Sequence, residues 1–218
     1  MPRRPALSYD RIIDAAVLVA DHGGIGHVSM RNVAAQLGVE AMSLYHHVAG
    51  KDAVLDGLAN WVFARIELPD PHRSWRDAMY ARAASARGVL AQHPWALGLI
   101  ESRRTPGRAL LRHHERVLAC LRHDGFPVRL AMHAASAIDA YVYGFVLTEL
   151  NLPFSADEGA ETFVDGIEQH LSAEEYPYLV EMITEQVIGA DYDHAEEFEV
   201  GLDLILDGLE RRLASDQG

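Results

Sequence analysis

Only one cysteine occurs in the 218 residues, Cys120, so no internal disulfide framework can form. Such a chain is expected in a reducing compartment, and the cytoplasm is the plain expectation. No apolar run approaches the roughly 20 residues that cross a bilayer, so no membrane is expected among its partners. The opening MPRRPALSYD holds two arginines with no apolar segment behind them and does not read as a secretory signal. Positive charge is scarce toward the end. Between Met1 and Thr148, 17 Lys and Arg stand against 13 Asp and Glu; from Glu149 to Gly218 the numbers are 2 and 19. The net charge of -13 therefore belongs to the last third, which is expected to face away from a polyanion. Acidity that merely keeps the protein soluble is the plainer reading, and both can hold.

Enzyme signatures are missing too. Twelve histidines invite a metal, and His113-His114-Glu115 is the tempting cluster, but adjacent helical residues point about 100° apart. No Glu-x-x-His pair, His-Glu-x-x-His or Gly-x-Ser-x-Gly occurs. Cys120 lies in a helix interior with only Arg116 at helical reach, which reads as packing rather than a nucleophile. No catalytic residue, metal or cofactor is expected.

What is present reads as helix. The apolar share of 49% and the charged share of 23% are those of a globular chain, long enough for one large or two small domains. The organising stretch is SMRNVAAQLGVEAMSLYHHVAGK, from Ser29 to Lys51. Ser29 is a good N-cap. Val33, Ala34 and Leu37 recur at helical spacing, and Gly38 can take the left-handed conformation that ends a helix. A second short helix, about Ala41 to His47, turns Leu44 and Val48 inward and leaves Ala41, Met42, Ser43, Tyr45, His46 and His47 outward. An ordinary αα-corner shares this pattern. A second helix so short and polar has little burial of its own, however, and that is the geometry of a helix-turn-helix. Before it, Ser8 caps a helix to about His22 with Ile12, Ile13, Ala16, Val17 and Ala20 on one stripe. Gly23-Gly24-Ile25-Gly26 closes it as a turn, lacking the Gly-Lys-Ser/Thr of a phosphate loop. Arg3 and Arg4 sit in a proline-flanked arm that reads equally as reaching DNA or as a disordered tail. After the motif, a helix from about Lys51 to Ile66 leads to a stop at Leu68-Pro69-Asp70-Pro71.

Ala15-Ala16, Gly23-Gly24, Ser29-Met30-Arg31, Val33-Ala34, Leu37-Gly38-Val39, Ser43 to Val48, and Lys51-Asp52 with Leu55 resemble the DNA-binding domain of the tetracycline-repressor (TetR) family. The Leu-Tyr-x-His-Val run before a lysine is the specific part. Ser74-Trp75-Arg76-Asp77, Gly125-Phe126 and the closing run from Gly201 to Glu210 resemble the tetracycline-repressor type of C-terminal domain. The resemblance implies an all-α chain: a three-helix helix-turn-helix domain over 1–50, a connecting helix over 51–68, and a ligand-binding and dimerisation domain over 69–218. It implies DNA contacts from Met30, Arg31, Ala41, Met42, Ser43, Tyr45, His46, His47 and Lys51. The implied partners are a duplex DNA operator, a second copy of the chain and a small-molecule effector that releases a repressor. A regulator without a ligand, an activator, or a helical carrier or enzyme whose motif is only a corner stay open as alternatives.

Further helices are expected over Ser74 to Gln92, from Pro94 to Ile100, and from Arg108 to His123, the last with Leu110, Leu111, Val117, Leu118 and Leu121 inside. Val128 to Leu150, two weaker acidic segments (155–171 and 174–189) and His194 to Leu213 complete the chain. Two of these helices are too apolar to face water. Small residues from Ala131 to Gly144 mark one, and Phe198, Leu202, Ile205, Leu209 and Leu213 mark the other at nearly coiled-coil spacing. Either they are monomer core or they form an intermolecular four-helix bundle. The bundle, which the resemblance favours, would use Ala134, Ala137, Tyr141, Phe198, Leu202, Ile205 and Leu209. A ligand cavity between helices would draw on Arg82, Trp95, Leu99, Leu118, Met132, Ala140 and Tyr143. Each alone reads as core; together they suggest a mostly apolar ligand with a polar or acidic group near Arg82. The resemblance does not extend to tetracycline–magnesium: about Ile100-Glu101 stands where the metal-binding histidine falls, Arg82 at a pocket asparagine and Ala140 at a pocket histidine.

Overall fold

A computed structural model describes residues 6–70, 72–100, 107–153, 164, 171–188 and 192–216. Every regular element among them is helical. The first four are α1 (Tyr9–Gly23), α2 (Met30–Leu37), α3 (Ala41–Leu44) and α4 (Lys51–Phe63). Their ends are set locally. The Ser8 hydroxyl accepts from the Arg11 N–H at 3.4 Å, and the Ser29 hydroxyl from the Asn32 N–H at 3.1 Å. Each satisfies a first-turn donor that the helix cannot. Gly38 ends α2 at φ 65°, a conformation open to glycine without a Cβ clash. Ile12, Ile13, Ala16, Val17 and Ala20 are all buried, as are Val33, Ala34, Leu44 and Val48.

The second helix of the motif is shorter than expected. Only Ala41–Leu44 is α-helical; Tyr45, His46 and His47 follow in turns, with the His47 and Val48 N–H groups both bonded to the Leu44 carbonyl. The chain tightens there because Leu44 and Val48 must both reach the same core. Helix α4 stops at Phe63, three residues before the expected Ile66. It lies so close to α1 that a Cβ on Gly57 would collide with Ile13 and the Tyr9 hydroxyl.

The larger part holds α5 (Trp75–Gln92), α6 (Leu97–Ile100) after a 3-10 turn at Pro94–Ala96, α7 (Arg108–His123) and α8 (Val128–Glu149). Helix α9 (Pro177–Gln186) and α10 (Glu197–Asp216) follow. Helix α4 ties the two parts together. It packs on α1 and on α7, and the Asn60 side-chain oxygen accepts the Ala109 N–H at 2.8 Å, capping α7 from outside. Helix α10 is held on α5 by Arg76, which bridges Asp203 and Asp207 at 2.9 and 2.8 Å. The expected helix over 155–171 lies outside the described residues except for 164 and 171. The 174–189 segment becomes helical only at Pro177, whose missing N–H suits a first helical position.

Three expectations need correction. Helix α8 is, by length and composition, long and apolar enough to cross a bilayer, contrary to the expectation that no segment comes near this. One of its faces is spent on the core: Leu130, Ala131, Ala134, Ile138, Val142 and Val146 are buried where α8 packs on α5, α7 and α10. Second, Ala134, Phe198, Leu202 and Leu209, expected at a dimer face, are buried in the core of the single chain. On helices apolar on several sides, the most regular stripe went to the subunit's own core. Ala137 is exposed, while Tyr141 and Ile205 are half-buried. Third, Leu111 and Leu118 on α7 are exposed; His113, Val117, Cys120 and Leu121 fill its inner face.

Candidate nucleic-acid interface and buried ligand site

The helix-turn-helix puts its polar side chains on one surface. With Leu44 and Val48 turned inward, Met42 is 72% exposed and Tyr45 half in water. His46 and His47 are exposed beside them, Arg31 at the start of α2 and Lys51 at the start of α4 are exposed, and Met30, Ala41 and Ser43 are half-buried. Lys51 is the single lysine of the chain, and it stands at the positive end of a helix dipole, where a cation is unfavourable. Among the described residues, the side chains of Arg31, Tyr45, His46, His47 and Lys51 make no hydrogen bond or ion pair. Nothing among the described residues spends them.

A second polar group lies deep in the larger part. Arg82 on α5 is 3% exposed and His113 on α7 is 1% exposed. The Arg82 Nε–H donates to His113 Nε2 at 2.6 Å, and Nη2 donates to Asp139 of α8 at 2.5 Å. Because His113 Nε2 accepts, the proton of the neutral ring sits on Nδ1. Burial, and then the Arg82 charge, push the His113 pKa down to about 3, so the ring is neutral near pH 7. Two donors of the group, Arg82 Nη1 and His113 Nδ1, are buried without a partner. The Phe63 ring at the end of α4 sits 5.7 Å from the His113 ring, centroid to centroid.

Of the expected pocket residues, the structure buries Arg82, Trp95 and Leu99 and half-buries Tyr143. Leu118, Met132 and Ala140 are exposed on the outer sides of α7 and α8. Each is about one helical step from a buried or half-buried neighbour (Val117, Ala131, Asp139), and that step turns a side chain by about 100°. Trp95 has a task of its own. Its indole N–H donates to Asp21 of α1 at 2.6 Å, and His93 Nδ1 is 2.7 Å from the same oxygen. This clamps the larger part to the first helix. Trp95→Phe keeps the ring but loses that charge-assisted bond, and should lower stability by about 1–2 kcal/mol. Urea unfolding at unchanged slope checks it.

His113 and Asp139 lie outside the expected set of site residues. His113 shares a stripe with Val117, Cys120 and Leu121, and Asp139 is the one acid between Leu130 and Leu147. Both signals are there to be read. Cys120 is buried, with its thiol pKa raised chiefly by burial.

A three-helix DNA-reading head on a larger all-helical body defines a bacterial helix-turn-helix regulator. The family model described as "Bacterial regulatory proteins, tetR family" matches residues 12–58, and "Tetracyclin repressor-like, C-terminal domain" matches residues 68–213. The chain belongs to the TetR family of DNA-binding transcriptional regulators, which is not a family of enzymes. It is 34% identical to the HTH-type transcriptional repressor DrrR1 of Streptomyces coeruleorubidus over 99% of this chain and 82% of that one. It is 27% identical to the class D tetracycline repressor protein of Escherichia coli over 85% of this chain and 95% of that one. Its fold is similar to apo ActR of Streptomyces coelicolor, with TM-score 0.78 and 26% identity over 97% of this chain and 99% of that one. ActR in complex with actinorhodin aligns with TM-score 0.77 and 26% identity over 96% and 99%.

Proposed function

We propose that this chain represses transcription as a homodimer bound to a palindromic operator, and that a small apolar or aromatic ligand in the larger domain releases it. The observation that carries the reading is the group of unspent side chains on one surface of the helix-turn-helix. Arg31 suits a bidentate contact to guanine O6 and N7, and Ala41 and Met42 an apolar contact to a thymine methyl. Tyr45 and Lys51 suit phosphates, with Met30, Ser43, His46 and His47 in the same groove. Ligand control is supported by the ligand complexes of ActR and by the contacts of α4. Asn60 caps α7, and Phe63 touches His113, so a ligand that shifts α7 shifts the helix that carries the DNA-reading head.

The exposed apolar side chains favour a dimer face on the outward stripe of α8 and α10. Met132 (54% exposed) and Leu147 lie on the first, and Val200 and Leu204 (68% exposed) on the second. Ala137, Ala140 and Gly144 between them let a partner helix come close. Packed against its own copy, this stripe makes a four-helix bundle. Leu204→Glu should give a monomer at micromolar concentration in sedimentation, with unchanged helicity and at least tenfold weaker operator binding.

Selection from random duplex DNA at fixed salt tests the function. An enriched palindrome with half-sites about one helical turn or slightly more apart is expected. Binding that only fades with salt and enriches nothing would mean that charge alone is at work and would end the repressor reading.

A further inference from the structure

The geometry points to an uncharged hydrogen-bond acceptor, such as a ketone or quinone carbonyl on an apolar ligand, as the group recognised at the Arg82–His113 cluster of the larger domain, with His113 Nδ1 as the donor that reads it. The inference rests on the ligand-released reading above and adds to it the chemistry of the recognised group.

Three observations carry it. The first is the pair of unpartnered buried donors, Arg82 Nη1 and His113 Nδ1. Buried N–H groups are nearly always paired, because leaving one dry forfeits its bond to water. Here two stand in one side-chain cluster, and both donate, so an acceptor is what they lack.

The second is charge. Arg82 is already neutralised by Asp139, and His113 is neutral with its proton on Nδ1. The cluster carries one positive and one negative charge. A carboxylate or phenolate would enter as a second anion near Asp139 and would itself be desolvated. A carbonyl oxygen accepts from either of these donors with neither penalty. The acidic partner that Arg82 alone suggested is therefore the poorer match.

The third is placement. The three residues come from α5, α7 and α8, and Phe63 of α4 closes on the His113 ring. A ligand oxygen bound at His113 Nδ1 therefore holds a ring that packs on the helix leading to the DNA-reading head.

Three probes on one naphthalene ring separate the possibilities: 2-acetylnaphthalene, 2-naphthoate and 2-ethylnaphthalene. Each is titrated into the full-length DNA-free protein at pH 8, labelled with nitrogen-15 at histidine. Affinity is read by calorimetry and the His113 Nδ1 resonance by NMR. The ketone should bind saturably, about tenfold or more tighter than the hydrocarbon. It should also bind tighter than the carboxylate, and it alone should shift His113 Nδ1. In His113→Phe, which keeps a ring but has no donor, the ketone should fall to the level of the hydrocarbon.

Equal binding of ketone and hydrocarbon would overturn the inference while leaving an apolar effector site standing. Preference for 2-naphthoate would overturn it in favour of an acid site. No saturable binding by any probe would overturn it as well, without touching the operator selection that tests repression. Should His113→Phe fail to fold, the three-probe comparison on the unaltered protein decides alone.

Discussion

Arg82→Ala is expected to cost about 3–5 kcal/mol of stability, the usual penalty for breaking a largely buried ion pair from one side. The cost comes less from the missing attraction than from what is left behind. Asp139 would keep a carboxylate only 22% exposed with no counter-charge, and His113 Nε2 would lose its donor. Urea unfolding of Arg82→Ala, Asp139→Asn and the double variant forms a cycle. The double variant should be clearly more stable than the sum of the two single losses. Strict additivity would show that the pair is not coupled. The same cluster sets a pH dependence. The His113 pKa is lowered to about 3 from its ordinary 6.5. The unfolded chain therefore takes up a proton between these values that the folded chain refuses. Stability is full above about pH 6.5 and falls as pH drops toward 3, by about 1.4 kcal/mol per unit from this residue. His113→Gln does not titrate and can still accept from Arg82, so its stability should fall less steeply over that range. Parallel curves for the two proteins would refute the buried neutral ring.

Which of these features the sequence shows follows from the range of the forces involved. Helix ends at Ser8, Ser29, Gly38 and Ser74 are legible because a cap is a bond to a neighbour three or four residues away. The inner stripes of α1 and α2 are legible because each of those helices has one apolar face. Helices α8 and α10 have several, and there periodicity alone cannot say which stripe meets the subunit's own core. Leu202 and Leu204 differ by two positions, yet the first is fully buried and the second mostly exposed. The polar cluster is half legible. Arg82 stands out as a charge where the resemblance to the tetracycline repressor puts a pocket asparagine. Sequence adjacency pairs His113 with His114 as a possible metal site, whereas the true neighbour of His113 is Arg82, 31 residues away, which in turn binds Asp139, 57 residues further along from it. Contacts of that separation are set by the packing of α5, α7 and α8, which no local pattern contains.

On the DNA-reading surface the largest effect is expected at Arg31. A bidentate arginine–guanine pair contributes about 1–3 kcal/mol of discrimination. The proposed dimer would carry two copies, so Arg31→Ala should weaken operator binding by about 2–6 kcal/mol, roughly 30-fold to 10⁴-fold. The loss should be confined to specific sequence, with the preference relaxed at one position of each half-site and binding to random duplex little changed. Lys51→Ala should behave in the opposite way. Its charge, which the α4 dipole opposes, suits a phosphate rather than a base, so its removal should weaken all duplexes about equally. The salt slope should also fall by about one for each phosphate that the lysine neutralises. Neither residue is buried or bonded within the described structure, so both variants should keep the thermal stability of the parent. That separates them from variants at Leu44 or Val48, where reduced burial would lower affinity by loosening the motif itself. Unchanged affinity and unchanged sequence preference in Arg31→Ala, measured on the selected operator, would place the reading surface elsewhere on the head. A uniform loss in Arg31→Ala like that of Lys51→Ala would assign Arg31 to a phosphate and leave base reading to Met42, Ser43, His46 and His47.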